Sequence, residues 1–120
     1  MKEINTSFKK GLDILQDNFF EIAKARAEHG AFKIDNALKH AAGEILEAQE
    51  SLDWFEKVKS DKFYSETDQE VARGNLAMEL ADAVYCLMTS ASLNGIKLSD
   101  ALIMGYAKEK ARAEGHGDKL

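Results

Sequence analysis

The chain has no proline and a single cysteine, and both scarcities narrow what it can be. Without proline, the ends of its helices or strands must be set by glycines and capping residues. With Cys86 as the only thiol, an internal disulfide is excluded. The first residues also lack the charged start and apolar stretch of a signal peptide, so we expect a cytoplasmic protein.

Basic residues are in the minority as well. The 120 residues include 16 lysines and arginines against 21 aspartates and glutamates, which gives a net charge of −5. Nucleic-acid binders neutralise phosphates with basic side chains, so this balance argues against a nucleic-acid partner. A chain of this length can bury a real core, and we predict a single domain over residues 1–120.

Apolar residues recur at helical spacing, which predicts an all-α protein. We place four helices at about 6–28, 35–59, 68–94 and 99–113, with a tail at 114–120. Asp35 is the expected N-cap of the second helix, Thr67 and Glu70 are the expected capping box of the third, and Asn94-Gly95 should end it. Four helices joined by short connections favour an antiparallel four-helix bundle.

The apolar stripes indicate which side of each helix faces inward. The predicted inward residues are Phe8, Leu12, Leu15, Phe19 and Ile22 in the first helix, Leu38, Ala41, Ile45, Ala48, Leu52 and Phe55 in the second, and Leu76, Leu80, Val84, Leu87 and Ala91 in the third. The third helix has further apolar residues outside its stripe, so it needs neighbours on most sides. We therefore expect oligomerisation to complete the bundle, as a homodimer or a homotetramer.

Two acids interrupt the most apolar segment of the chain. Glu79 and Asp82 lie three residues apart within residues 76–93, so both carboxylates occupy one side of a helix. Two charges in mid-segment make a membrane span implausible, and we expect no membrane partner. Burying carboxylates is costly unless they are paired or bind a metal ion. Glu44 and Glu47 repeat the spacing, so two facing helices would form a cage of four carboxylates.

A site made of oxygen ligands alone suits Mg²⁺ or Mn²⁺ and is a poor site for zinc. Carboxylate-diiron bundles use a Glu-x-x-His motif, which this chain lacks, so the oxidase and ferritin classes are disfavoured. The spacing alone is common on solvated helices, and Glu50 and Asp53 share it. The apolar neighbours of Glu79 and Asp82 favour the metal interpretation, with acids on a wet helix edge as the alternative.

The order of these motifs resembles a known family. Glu44-x-x-Glu47, then Glu79-Leu80-Ala81-Asp82, an apolar helix, Asn94-Gly95-Ile96 and a basic last helix are similar to the MazG-like all-α nucleoside triphosphate pyrophosphohydrolases over about residues 37–112. The resemblance implies Mg²⁺-dependent hydrolysis of a (deoxy)nucleoside triphosphate to the monophosphate and pyrophosphate. It also implies Glu44, Glu47, Glu79 and Asp82 as metal ligands and Lys108 and Arg112 as phosphate contacts.

Two positions depart from related patterns. The family usually has two adjacent glutamates at the start of its first motif, and here Gly43 occupies the first place, which leaves the number of metal ions open. Phosphoribosyl-ATP pyrophosphohydrolases commonly have a histidine after the tyrosine of the third helix, where this chain has Tyr85-Cys86. That activity remains an alternative, as does a non-enzymatic helical interaction module.

The expected chemistry is in-line attack of water on phosphorus, with Mg²⁺ neutralising the triphosphate oxygens. Glu47 is our candidate for the general base, because the outer acid of its pair can reach the attacking water. Without the family resemblance, Lys108 and Arg112 would be ordinary cations that complement the C-terminal end of a helix dipole.

Overall fold

The computed structural model describes Ile4 and residues 6–115, which contain four α-helices, one 3-10 helix and no strand. The α-helices are α1 (Thr6–Glu28), α2 (Ala37–Ser60), α3 (Glu66–Leu93) and α4 (Leu98–Ala113), and the 3-10 helix is Ile34–Asn36. The predicted all-α class is confirmed, and each predicted helix end lies within two residues of the observed one. Residues 116–120 of the predicted tail lie outside the described residues.

The predicted stops are correct, whereas the predicted caps are wrong. Gly30 and Gly95 follow α1 and α3 with φ of 72° and 70°, a backbone conformation that favours glycine. Asp35 lies within the 3-10 helix, so it is not the N-cap of α2. The capping box of α3 is formed by Ser65 and Asp68, not by Thr67 and Glu70.

Ser65 is the cap because its backbone is still extended, whereas Thr67 is already helical. The backbone N–H of Asp68 donates to Ser65 Oγ at 3.1 Å. In return, the Ser65 backbone N–H donates to the Asp68 carboxylate at 2.9 Å. The helix therefore begins two residues earlier than predicted.

The helices form an open row rather than a closed ring. Helices α2 and α3 pack along each other as an antiparallel hairpin, α1 packs on α3, and α4 packs on α1. The radius of gyration is 17.6 Å, whereas a compact domain of this length has about 14 Å. The described residues of one chain therefore form an open four-helix arrangement, and its completion into a bundle by oligomerisation stays a prediction.

The main core lies where the end of α1, the connection at residues 29–36, the start of α2 and the middle of α3 meet. Its buried members are Ala23, Phe32, Ala37, Ala41, Tyr85 and Cys86, and Phe19 and Ile34 pack against them. Most of these side chains are small or aromatic, so the helices approach closely and large aliphatic residues are left outside.

Several residues that were predicted to face inward are exposed. They are Phe8, Leu15, Ile22, Leu38, Ile45, Leu80, Val84 and Leu87. In α2 the predicted inward positions of Ala41 and Ala48 are confirmed, and Ala37 and Val58 are buried as well. In α3, Leu80, Val84 and Leu87 are 52%, 42% and 39% exposed.

Among the described helices, α3 is the one that length and composition would allow to cross a membrane. It also packs against both α2 and α1, and its acids Glu79 and Asp82 lie in mid-helix. The core helix of a protein outside the membrane passes the same test, so this is weak evidence for a membrane span.

Candidate metal centre

Two glutamates occupy positions that would otherwise belong to the core line between α2 and α3. Glu44 lies three residues after Ala41 and four before Ala48, so it projects from the buried side of α2. Glu79 lies four residues before Ala83 on the buried side of α3. Because the hairpin is antiparallel, these two interruptions face each other, and both residues are half-buried.

The outer acids complete a group that we call the carboxylate cluster: Glu44, Glu47, Glu79 and Asp82. Carboxylate oxygens of Glu44, Glu79 and Asp82 all lie within 4.8 Å of one another. Glu47 interacts with both Glu44 and Glu79. Glu47 and Asp82 are the exposed members, which places them towards solvent as the sequence predicted.

The cluster is electrostatically strained. Burial raises the pKa of Glu44, and the neighbouring Glu47, Asp82 and Glu79 raise it further. Burial also raises the pKa of Glu79, with Glu47 and Asp82 adding to the effect, while a hydrogen bond with Glu44 opposes it. The charged forms of the two inner glutamates are therefore disfavoured as the residues stand.

No basic side chain relieves this strain within residues 6–115, where none of the four carboxylates has an ion-pair partner. One oxygen of Glu79, Oε2, is buried and has no hydrogen-bond partner there. A buried oxygen without a donor is costly, and a cation is the partner that would satisfy it. The donor set and its spacing therefore fit a hard divalent cation such as Mg²⁺.

Three cavities open around the cluster. A cleft of about 600 Å³ adjoins Glu44 and Glu47 and contains Lys33 and Lys39. A cavity of about 410 Å³ lies between Glu47, Glu79 and Trp54. Trp54 is 46% exposed, and its ring stands edge-on to that of Tyr64. Trp54 also lines the second cavity.

The third cavity, of about 210 Å³, is the most enclosed. Glu44 and Asp82 line it together with Arg26, Phe32 and Tyr85. Cys86 also lines it and is buried, and burial raises the pKa of its thiol, so Cys86 is an apolar wall residue rather than a nucleophile.

Lys108 and Arg112, the predicted phosphate contacts, are not brought to the cluster within one chain. They lie on α4, which packs on α1, whereas the cluster lies between α2 and α3. Arg112 forms an ion pair with Glu109 at 2.7 Å. These two roles stay predictions that depend on a neighbouring subunit or on movement of α4.

Arg26 is the basic residue that sequence reasoning missed. It lies 18 positions before Glu44 in the sequence, and no spacing rule connects the two residues. The connection at residues 29–36 folds back so that Phe32 packs under the guanidinium group. The way this connection folds back places Arg26 beside the acids, and no short sequence motif predicts that fold.

Comparisons of the chain with protein-family models, with curated proteins and with solved structures found no match.

Proposed function

We propose that this protein is a Mg²⁺-dependent nucleotide pyrophosphohydrolase that converts a (deoxy)nucleoside triphosphate to the monophosphate and pyrophosphate. The observation that carries the proposal is the convergence of Glu44, Glu79 and Asp82 within 4.8 Å, together with the orphaned oxygen of Glu79. The order of motifs that resembles the MazG-like enzymes gives this site its reaction class.

Each acid has a role in this proposal. Glu44, Glu79 and Asp82 would hold Mg²⁺, with Mn²⁺ as a substitute, and Glu47 would be a fourth ligand or would accept the proton of the attacking water. When bound, the metal ion would neutralise the triphosphate oxygens. Glu47 suits the proton-accepting role because it is exposed to solvent and also lies against both inner glutamates.

Product analysis tests the proposal. We expect at least one nucleoside triphosphate to yield pyrophosphate as the first phosphorus product, and EDTA to abolish turnover. Mg²⁺ or Mn²⁺ should restore the activity better than Ca²⁺, whose larger and looser coordination suits an in-line phosphoryl site less well. Orthophosphate as the first product, or full activity in chelator, would contradict the assignment.

A second candidate is a helical interaction module without enzymatic activity, which the exposed apolar faces favour. Such a module would be expected to neutralise its buried acids with ion pairs, and within residues 6–115 no ion pair joins a basic residue to the cluster. Calorimetric titration with Mg²⁺ and Mn²⁺, with and without a non-hydrolysable nucleotide, separates the two. An enzyme should bind the metal ion and the nucleotide, and each should strengthen binding of the other. A module should bind neither the metal ion nor the nucleotide.

The proposed enzyme is a cytoplasmic homodimer or homotetramer. The stripe of Leu80, Val84 and Leu87 is exposed on α3 in one chain, and burying it against a second copy would also explain the open row of helices. Light scattering should return a mass above that of a monomer at micromolar concentration. Val84→Asp should shift the protein towards the monomer, and a monomeric wild type at all accessible concentrations would contradict the proposal.

A further inference from the structure

Arg26, at the end of α1, is held by aromatic rings rather than by an acid. The carbon of its guanidinium group lies 5.1 Å from the centre of the Phe32 ring and 5.5 Å from the centre of the Tyr85 ring. The Tyr85 ring in turn packs edge-on against the Phe19 ring, with 5.1 Å between the ring centres. Stacking on rings orients the guanidinium plane while leaving its N–H donors free.

The absence of a carboxylate partner is informative because acids are close at hand. Glu44 and Asp82 line the same cavity as Arg26, yet no ion pair joins Arg26 to either within residues 6–115. By comparison, Arg73 also lies over a ring, that of Phe55, and forms an ion pair with Glu70 at 2.7 Å. Arg26 thus faces the cluster across a gap instead of closing on it.

The gap has the size and polarity of a site for one anionic group. Its volume is about 210 Å³, below the roughly 300–1,000 Å³ of pockets that enclose a whole small ligand. Tyr85 lines it, is nine-tenths buried, and has a hydroxyl without a hydrogen-bond partner within residues 6–115. Of the residues that line the gap, Arg26 and Tyr85 therefore offer hydrogen-bond donors to an anion, while Glu44 and Asp82 offer acceptors to a cation.

An anion would enter such a cavity only when the acidic wall is neutralised. A phosphate group would then lie between the cation on the carboxylates and the guanidinium group, and Arg binds phosphate oxygens in a fixed, often bidentate geometry. We propose that Arg26, assisted by the Tyr85 hydroxyl, binds the phosphates that leave as pyrophosphate. The proposal rests on the proposed function, and it assigns a phosphate-binding residue that lies beside the cluster within one subunit.

Inorganic pyrophosphate is the probe, because its binding does not require turnover. Calorimetry in Mg²⁺ should show that wild type binds pyrophosphate and that the binding is lost in EDTA. Arg26→Gln should weaken it about tenfold to a hundredfold, the loss expected for hydrogen bonds to a charged group. Arg26→Lys keeps the charge but loses the forked donors of the guanidinium group, so its pyrophosphate affinity should lie between those of wild type and Arg26→Gln. Tyr85→Phe should weaken binding less than Arg26→Gln does.

Arg73→Gln is the matched control, because it removes the same charge from another arginine that stacks on a ring. It should bind pyrophosphate as wild type does. Mn²⁺ affinity of Arg26→Gln should equal or exceed that of wild type, since a neighbouring positive charge has been removed. Thermal melts show whether each variant is folded. If Arg26→Gln does not fold, Arg26→Lys is used for the comparison with wild type instead.

The outcomes separate this proposal from the proposed function. If wild type hydrolyses a nucleotide but Arg26→Gln and wild type bind pyrophosphate equally, the role of Arg26 is wrong and the enzyme assignment stands. If wild type binds no pyrophosphate in Mg²⁺, the role of Arg26 is also wrong. If no nucleotide is hydrolysed while pyrophosphate binding depends on Arg26, the enzyme assignment is wrong and the anion site stands.

Discussion

Gln16 on α1 and Glu79 on α3 both carry polar side chains into helix interfaces, but their surroundings differ in every respect. The Gln16 amide is 5% exposed and fully used, since Nε2 donates to Ser92 Oγ at 3.0 Å and to the Ile96 carbonyl at 2.8 Å. Its Oε1 accepts from the Leu98 backbone N–H at 2.9 Å. We call this arrangement the Gln16 clamp, and it ties α1 to the end of α3 and the start of α4.

Asp13, one turn before Gln16, extends the contrast to a charged side chain. Its carboxylate accepts a hydrogen bond from the buried Ser99 hydroxyl and forms an ion pair with Lys9 at 3.2 Å. The hydrogen bond from Ser99, with help from Lys9, lowers the pKa of Asp13. In the carboxylate cluster, by contrast, burial and like charges raise the pKa of Glu44 and Glu79.

The difference separates polar groups that serve the fold from polar groups kept for a ligand. A satisfied buried network stabilises one arrangement of helices, whereas an unsatisfied one lowers stability unless a ligand completes it. Functional sites therefore commonly lower the stability of the protein, because their polar groups are arranged for a ligand rather than for the fold.

The largest effect is expected for Asp82→Asn, which keeps the shape of the side chain and removes its charge. Activity should fall by at least about a hundredfold, since even residues that only support metal ligands are worth roughly 10- to 100-fold. Stabilisation by Mg²⁺ should also disappear. Steady-state kinetics and thermal melts measure both effects, and Asp53→Asn on the exposed side of α2 is the control.

The same variant also distinguishes a cage for a cation from a structural ion pair. In EDTA, Asp82→Asn should melt at the temperature of wild type or higher, because repulsion within the cluster is relieved. If Asp82 instead balanced a buried cation, removing its charge would cost about 3–5 kcal/mol. A loss of several degrees in EDTA would therefore decide for the structural interpretation.

Breaking the Gln16 clamp should act on stability alone. Gln16→Ala leaves the backbone N–H of Leu98 and the carbonyl of Ile96 without their partner, so we expect a loss of about 1–3 kcal/mol of unfolding free energy, the cost of leaving such polar groups unsatisfied. Gln49→Ala is the matched control, since this exposed glutamine donates a side-chain hydrogen bond to Asp53 alone among the described residues. Denaturant titration that finds equal stabilities for the two variants would contradict the assigned role of the clamp.

Much of the fold was predictable because its signals are local. Helical periodicity and the glycines after α1 and α3 define four helices, and these features depend on neighbouring residues in the sequence. The cap of α3 was missed because Ser65 and Thr67 both head a plausible capping box, and only the backbone conformation distinguishes them. The facing of Glu44 and Glu79 followed from their apolar neighbours and the antiparallel hairpin.

The remaining features depend on information outside any one segment. Leucine stripes indicate that a helix face is buried somewhere, but not whether the partner is the same chain or a second copy. In α2 the chain buries alanines and leaves Leu38 and Ile45 exposed, which a hydrophobicity pattern ranks in the opposite order. Arg26 lines a cavity with Glu44 and Asp82 because the connection at residues 29–36 folds back and packs Phe32 against the guanidinium group.

The pH dependence of stability should have opposite signs in the two regions. The pKa of Glu44 is raised above its ordinary value of 4.5, so the folded state keeps this proton longer than the unfolded state. As pH rises from about 4.5 through the raised pKa, stability should therefore fall. The pKa of Asp13 is lowered below 3.8, so its contribution is present above that value and is lost as pH falls through the lowered pKa.

Difference melts in EDTA from about pH 3 to about pH 8 measure the two signs. The stability of Glu44→Gln relative to wild type should increase as pH rises above about 4.5, because the variant has no charge to bury. Asp13→Asn should be less stable than wild type by a constant amount above about pH 4, and the difference should shrink as pH falls below 3.8. Parallel curves for the two variants would contradict the contrast between the regions.

The smallest effect is expected for Glu79→Gln without metal. The amide is neutral and can donate a hydrogen bond to Glu47, so in EDTA at neutral pH the variant should melt slightly higher than wild type. Near pH 4 the difference should shrink, since the wild-type carboxyl is then protonated. With Mg²⁺ the order should reverse, because wild type gains a ligand that the variant binds poorly. If the variant melts lower than wild type in EDTA, the Glu79 carboxylate stabilises the fold, and the distinction between the cluster and the Gln16 clamp is lost.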